Sequence, residues 1–374
     1  MKDYLPFTRP LIDEQTIAGV ADVLRSGWIT TGPQVTRFEG ELATYLGGSR
    51  QVRSFTSATG ALEVALVAAG IGPGDEVIVP AMSFAASANV VVRVGAVPVF
   101  VDVGLRNRNI EVAQIEAALT PRTRAIMPVH FAGLSADLDA VYALASRHRL
   151  RVIEDAAHAI GSAWRGRRIG SFGDLVCFSF HPNKNITTIE GGALVTTDAE
   201  VLATVEQLRF HGIQRNAEGE LDVVRAGGKY NFSDVSACIG IAQLAQLETF
   251  NRRRRELAAR YFELLQEQDA LLLPERGDQD HSWHIFTVLI DYARFGYTRP
   301  RLQRALHEQG IGSGVHYPSI PALTFYRQLG YVPEQWPNAL RIGRETLTLP
   351  LFPAMRDEDV ERVVKTLSST LRRD

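Results

Sequence analysis

The chain has 374 residues, 45% of them hydrophobic, and a formal net charge of -2. That length is too great for one compact core and predicts two, while the near-neutral balance gives no global attraction to nucleic acid or to an acidic membrane surface. The opening Met1-Lys2-Asp3-Tyr4-Leu5-Pro6 is no apolar signal segment, and Pro80, Arg93 and Pro98 interrupt the apolar stretch over 77–103, so a cytoplasmic location without a membrane span is expected.

Strand-like runs alternate with helical patterns from about Gln51 to Val195, as a mainly parallel sheet flanked by helices requires. The first informative segment is Ser54-Phe55-Thr56-Ser57-Ala58-Thr59-Gly60-Ala61-Leu62, which passes from strand-like residues to helical spacing across a small, hydroxyl-rich turn. The N–H groups of Ala58 and Thr59, with the Thr59 hydroxyl, can bind a phosphate at such a helix N-terminus. Ordinary N-capping by Ser57 or Thr59 accounts for the same residues equally well. A strand predicted over 76–79 leads to Phe84, which opens a helix. Its ring can stack on a flat ligand or pack into the core.

Further strands are predicted over 98–101 and 125–129, then an amphipathic crossover helix over 136–148. The apolar strand over 151–154 runs into Asp155, with His158 three residues later. Ends of parallel strands are where ligands bind in open α/β sheets. A carboxylate buried there needs a cationic partner, and the protonated ring nitrogen of pyridoxal phosphate would supply one and keep the pyridine an electron sink. His158 would then lie near the phenolic oxygen or the ring face. Alternatively, Asp155 is a helix N-cap and His158 an interior histidine.

The next strand, over 175–180, is followed by His181-Pro182-Asn183-Lys184-Asn185, with Ser179 five residues before the lysine. An amine at that edge attacks a carbonyl once burial or a cationic neighbour lowers its pKa, which makes Lys184 a candidate Schiff-base lysine. Alone, it reads as a solvated loop lysine. Ser179 offers a second hydroxyl to the phosphate. A strand over 193–196 ends the series.

Past about Ala245 the pattern changes to an arginine-rich helix, a strand over 283–290, a helix over 299–309, a strand-like run over 312–316 and a final helix from Asp357. We expect a large domain over 1–245 and a smaller C-terminal α+β domain over 246–374. The run Arg252-Arg253-Arg254-Arg255 is expected to be a solvated helix face rather than a nucleic-acid patch. Cys177 and Cys238 lack metal-ligand spacing and read as small buried hydrophobes, so neither a metal site nor a disulfide framework is expected.

In order and spacing, these segments resemble the aspartate-aminotransferase fold superfamily, and within it the DegT/StrS-type nucleotide-sugar aminotransferases. The pieces that carry the resemblance include Ser57-Ala58-Thr59-Gly60-Ala61-Leu62, Glu154-Asp155-Ala156-Ala157-His158, the run over 179–188, Glu190-Gly191-Gly192, Lys229-Tyr230-Asn231-Phe232 and Val315-His316-Tyr317-Pro318. The resemblance implies the type I fold of pyridoxal-phosphate enzymes, with a large seven-stranded, mainly parallel sheet flanked by helices. It implies Lys184 as the lysine joined to the cofactor, Asp155 on the pyridinium, His158 by the phenolic oxygen and Phe84 stacked on the ring. Ala58, Thr59 and Ser179 would hold the phosphate, and Asn231 would reach the same phosphate from a neighbouring subunit, which makes the enzyme a homodimer with shared sites. By the same resemblance, Thr31, Lys229, His316 and Tyr317 are acceptor contacts, glutamate or glutamine the amino donor, and a nucleotide-linked keto-deoxysugar the acceptor, in amino-sugar or surface-polysaccharide biosynthesis. Ala58 stands where glycine is common, His158 where glutamine is an alternative, and many members carry Asn-Tyr-Arg where this chain has Lys-Tyr-Asn. Rival readings with the same fold are a lyase, an aminotransferase acting on a cyclitol or keto acid, and a non-catalytic regulatory protein that binds the cofactor.

Overall fold

Short, continuously apolar runs build the centre of the molecule. The computed structural model describes residues 4–269 and 271–371, in which two helices, α1 (Glu14–Ser26) and α2 (Pro33–Tyr45), precede the first strand. There follow β1 (Gln51–Phe55), α3 (Ala58–Ala68), β2 (Glu76–Pro80), α4 (Ala86–Arg93), β3 (Val97–Val101), α5 (Val112–Ala118), β4 (Thr123–Ile126) and α6 (Leu138–His148). The large sheet is completed by β5 (Arg151–Asp155), β6 (Leu175–Ser179) and β7 (Gly192–Thr196). Its order is β1-β7-β6-β5-β4-β2-β3, parallel throughout except for β7, which is antiparallel to both neighbours.

Burial follows that order. Every residue of β2, β6 and β7 is buried, as expected of strands covered by helices on both faces, whereas the two outermost strands, β1 and β3, each begin on an exposed residue. The mainly parallel sheet flanked by helices is thus the fold that the alternating pattern predicts. Because six strands point the same way, the C-terminal ends of β1, β2, β5 and β6 open on one edge, and these ends with the turns after them carry Ser57, Phe84, Asp155 and Lys184.

After α7 (Ala199–Arg209), the chain enters α8 (Asp234–Leu265), one continuous helix of 32 residues. Its start is capped by the Ser233 side chain, which accepts from the Ser236 N–H, while Asp234 accepts from the N–H groups of Gln34 and Val35 at the start of α2. The first half of α8 places Leu247 and Phe250 in the apolar layer on one face of the large sheet. The second half places Leu257, Tyr261 and Leu265 under a second sheet. That antiparallel sheet runs β8 (Leu271–Leu272), β9 (Phe286–Ile290), β10 (Thr346–Leu349), with α9 (Arg299–Glu308) and the helix Asp357–Leu371 packed against it. The division expected between 245 and 246 falls inside α8.

Several expectations need correction. The arginine run is not a solvated face throughout: Arg254 lies on the buried side of α8, in step with Asn251, Leu257 and Ala258, and its Nη1 donates to the carbonyls of Trp283, His284 and Leu351. The strand expected from Trp283 starts at Phe286, because Trp283 itself has a left-handed φ of 50°. The run over 312–316 makes only an isolated bridge, Gly314 to Thr348, and the small sheet takes its third strand from β10, which the sequence pattern did not single out. Cys177 is buried, but Cys238 is only half-buried, and both are free thiols.

Candidate active site

Nine of the predicted site residues line one cavity of about 320 Å³ at the edge where the parallel strands end: Ala58, Thr59, Phe84, Asp155, His158, Ser179, Lys184, His316 and Tyr317. They arrive on five separate segments of the chain. At the start of α3, the Ser57 hydroxyl accepts from the Gly60 N–H at 3.0 Å, so Ser57 is the N-cap. The N–H groups of Ala58 and Thr59 in that first turn have no intrahelical acceptor, and both residues line the cavity, where a helix N-terminus favours an anion. Close packing holds this turn. A Cβ on Gly192, which opens β7, would lie 2.4 Å from the Ala58 nitrogen, so only glycine lets the two backbones approach.

Asp155 ends β5 and is 4% exposed. One of its oxygens accepts from the Ser87 hydroxyl at 2.7 Å, and the other from the Ala157 N–H at 3.1 Å. A turn, not a helix, follows, so the N-cap alternative does not hold. The carboxylate forms no salt bridge with a described residue. Lys184 stands on the turn after β6, where burial pulls its ammonium down to about 8, against the opposing pull of Asp155. Half-buried and lining the cavity, it is no freely solvated loop lysine, and a substantial share of it is neutral amine near pH 8.

His158 is held in place on both sides. Its Nδ1 accepts from the Ala132 N–H at 3.3 Å, and its Nε2 lies 3.2 Å from the Tyr317 hydroxyl. Burial, and then the nearby Lys184 and His316, push its pKa well below the usual histidine range. The ring is neutral, so Nε2 carries the hydrogen and donates to Tyr317. Tyr317 also faces Phe84, with 5.6 Å between ring centres. Phe84 is 58% exposed, which rules out the core-packing alternative. His316 Nδ1 pairs with Thr348 Oγ1 at 2.7 Å, and burial lowers its pKa to about 4.

Thr31, Lys229 and Asn231 lie elsewhere, together in a second, open groove beside Phe210. The Asn231 amide donates to the Thr31 hydroxyl at 2.8 Å and accepts from the Lys229 ammonium, which sits over the Phe210 ring. Two further residues came from no sequence signal. Ser87 orients Asp155 from 68 positions away, and the buried His284 packs on His158 with 4.3 Å between ring centres.

The donor set asks for a ligand with three properties: an anion for the α3 N-terminus, a cationic ring nitrogen for Asp155 and a carbonyl for Lys184. Pyridoxal phosphate has all three, and the exposed Phe84 ring offers a flat face to its pyridine. The residues present fit that cofactor.

Residues 10–368 match the model of the DegT/DnrJ/EryC1/StrS aminotransferase family. The chain is 39% identical over 380 residues, 99% of its length and 97% of the relative's, to the spore coat polysaccharide biosynthesis protein SpsC of Bacillus subtilis. Among solved structures, it superposes on the Streptococcus pneumoniae sugar-aminotransferase candidate Spr1654 in its PMP form with a TM-score of 0.92, at 32% identity over 98% of both chains. It also superposes on Helicobacter pylori PseC, an aminotransferase of pseudoaminic acid biosynthesis, with a TM-score of 0.92, at 28% identity over 98% of this chain and 99% of the other.

Proposed function

Since the chain belongs to the DegT/DnrJ/EryC1/StrS aminotransferase family and is a pyridoxal-phosphate-dependent aminotransferase, we propose that it moves an amino group from glutamate or glutamine to a keto sugar, a nucleotide-linked keto-deoxysugar, in amino-sugar or surface-polysaccharide biosynthesis. The spore coat polysaccharide role of SpsC, the pseudoaminic acid role of PseC and the likeness to the sugar-aminotransferase candidate Spr1654 support the acceptor class. The observation that carries the reading is the meeting of Lys184, Asp155 and the α3 N-terminus around one cavity. A cytoplasmic location and a large domain over 1–245 with a smaller one over 246–374 belong to the same proposal. Among the described residues, no helix is long and apolar enough to cross a membrane.

In this reading the N–H groups of Ala58 and Thr59 and the Ser179 hydroxyl hold the phosphate, Asp155 holds the ring nitrogen, His158 sits by the phenolic oxygen and Phe84 covers the ring. When bound, the cofactor supplies an aldehyde and a conjugated ring that accepts the electron pair left when the donor's C–H bond breaks. The rest of the work falls to side chains. Lys184 is neutral often enough near pH 8 to take a proton from the donor's α-carbon, and once protonated it can return one, as general base and then acid. Ser87 keeps the Asp155 carboxylate aimed at the ring nitrogen. His316 and Tyr317 line the acceptor side.

Asn231 and Lys229 complete the site from a second copy of the chain. Their groove lies outside the cavity of their own chain, which supports a contribution across a homodimer interface. The first test is an absorption spectrum of the purified protein with pyridoxal phosphate, before and after glutamate and, separately, glutamine. A visible band that bleaches to the pyridoxamine spectrum is expected, and the aminated enzyme should then be reoxidised by a keto sugar. Release of ammonia and a keto acid from one amino acid alone would instead mean elimination and end the aminotransfer reading.

A further inference from the structure

The two most deeply buried arginines of the described residues are satisfied in different ways. Arg254 spends one nitrogen on three carbonyls. Arg108, in the turn after β3, is 1% exposed, and only its Nη2 has a partner, the Thr287 carbonyl at 3.2 Å. Its Nε and Nη1 have none, nor does the Thr287 hydroxyl, itself 1% exposed. Arg108 and Thr287 both line one small cavity of about 10 Å³, walled by Phe131 and Trp283 and bordered on its outer side by the exposed Arg106 and Glu275.

A guanidinium keeps its proton. Burial alone acts on Arg108 and brings it down to about 9, which leaves it charged at neutral pH. No carboxylate among the described residues pairs with it. Glu275 borders the cavity, but with an exposed side chain. A buried charge of this kind is costly unless an opposite charge meets it. The available space holds about one water-sized sphere, which excludes phosphate, sulfate and carboxylate ligands. A water molecule would satisfy hydrogen bonds yet leave the charge uncompensated.

We propose that this cavity is a binding site for one small monatomic anion of chloride's chemistry, held by Arg108 Nε and Nη1 and by the Thr287 hydroxyl. The hydroxyl hydrogen turns toward the anion, so all three groups donate. The site lies behind the wall of the candidate active site: the guanidinium carbon is 5.9 Å from the centre of the Phe131 ring, whose own centre is 5.8 Å from that of His158.

The test is thermal unfolding of the holoenzyme, exchanged into potassium gluconate and titrated with potassium chloride at constant ionic strength. The melting temperature of the wild type should rise by ~2 °C per tenfold increase in chloride once the site begins to fill. Arg108→Met should abolish that slope. An equal slope in the variant, or none in the wild type, defeats the proposal. Should Arg108→Met not fold, Thr287→Val keeps the charge and is expected to move the chloride midpoint about tenfold upward, the loss of one hydrogen bond to a charged group; an unmoved midpoint counts against the site. Crystals grown in bromide give an independent reading: an anomalous peak between Arg108 and Thr287 supports the site, and a water molecule or the Glu275 carboxylate there overturns it.

Discussion

Lys184 shows how far one residue's chemistry depends on its surroundings. Its type and its place after a strand are written in the sequence, but its lowered pKa comes from burial. The unfolded chain keeps the Lys184 proton up to the ordinary value of 10.5, and the folded cofactor-free protein only to about 8. Between these values the unfolded state holds more protons, so the stability of the cofactor-free protein should rise with pH across that window. Lys184→Met should remove this rise and cut turnover by ~10³-fold or more. Denaturant midpoints measured at pH 7.5 and 9.5 for both proteins check the first point, since an equal rise in the variant would place the titrating group elsewhere. For Asp155, Asp155→Asn keeps the shape and removes the charge, and should slow the glutamate half-reaction ~10²-fold or more. Stopped-flow bleaching of the visible band measures it, and an unchanged rate would break the pairing of this carboxylate with the ring. Ser87 was not legible beforehand, because its bond to Asp155 joins two turns 68 positions apart.

At the scale of elements, local pattern served well where an element is buried by its own periodicity. The strands of the large sheet and the helix α6 lie within a few residues of where apolar runs and amphipathic spacing put them. It served badly where a partner decides. The run over 312–316 looks like a strand but finds only one bridging residue, and Arg254 looks solvated until α8 turns it toward three carbonyls. The contact between β7 and the start of α3 is another such case and can be tested. Gly192→Ala would drive a methyl group to 2.4 Å from the Ala58 nitrogen, which must displace the turn proposed to hold the phosphate. We expect cofactor affinity to fall about tenfold or more, read from the pyridoxal phosphate dependence of the visible band, while the far-ultraviolet circular dichroism stays that of the wild type. An unaltered affinity would mean that the phosphate binds away from α3.

For the whole molecule, the decisive fact is that the predicted residues fall into two groups: nine around the cavity, and Thr31, Lys229 and Asn231 in a groove outside it. A homodimer in which each chain lends Asn231 to its partner predicts complementation. Lys184→Ala and Asn231→Ala should each be nearly inactive alone, and a mixed dimer should contain one intact site. After random reassociation of equal amounts, about a quarter of wild-type activity should return. No recovery, with exchange of subunits verified by mass spectrometry, would place Asn231 outside the partner's site.

The sequence by itself determined the α/β class, the family and the list of chemistry-bearing residues, because hydrophobic period and short motif spacing are local properties that survive without coordinates. Only the tertiary structure decided which of those residues meet. The parallel strands bring four distant turns to one edge, burial changes the acidity of Lys184 and His158, and packing leaves Arg108 buried beside a small cavity with two of its nitrogens unpartnered. Desolvation and long-range contact depend on the whole fold at once, and no window along the chain contains them.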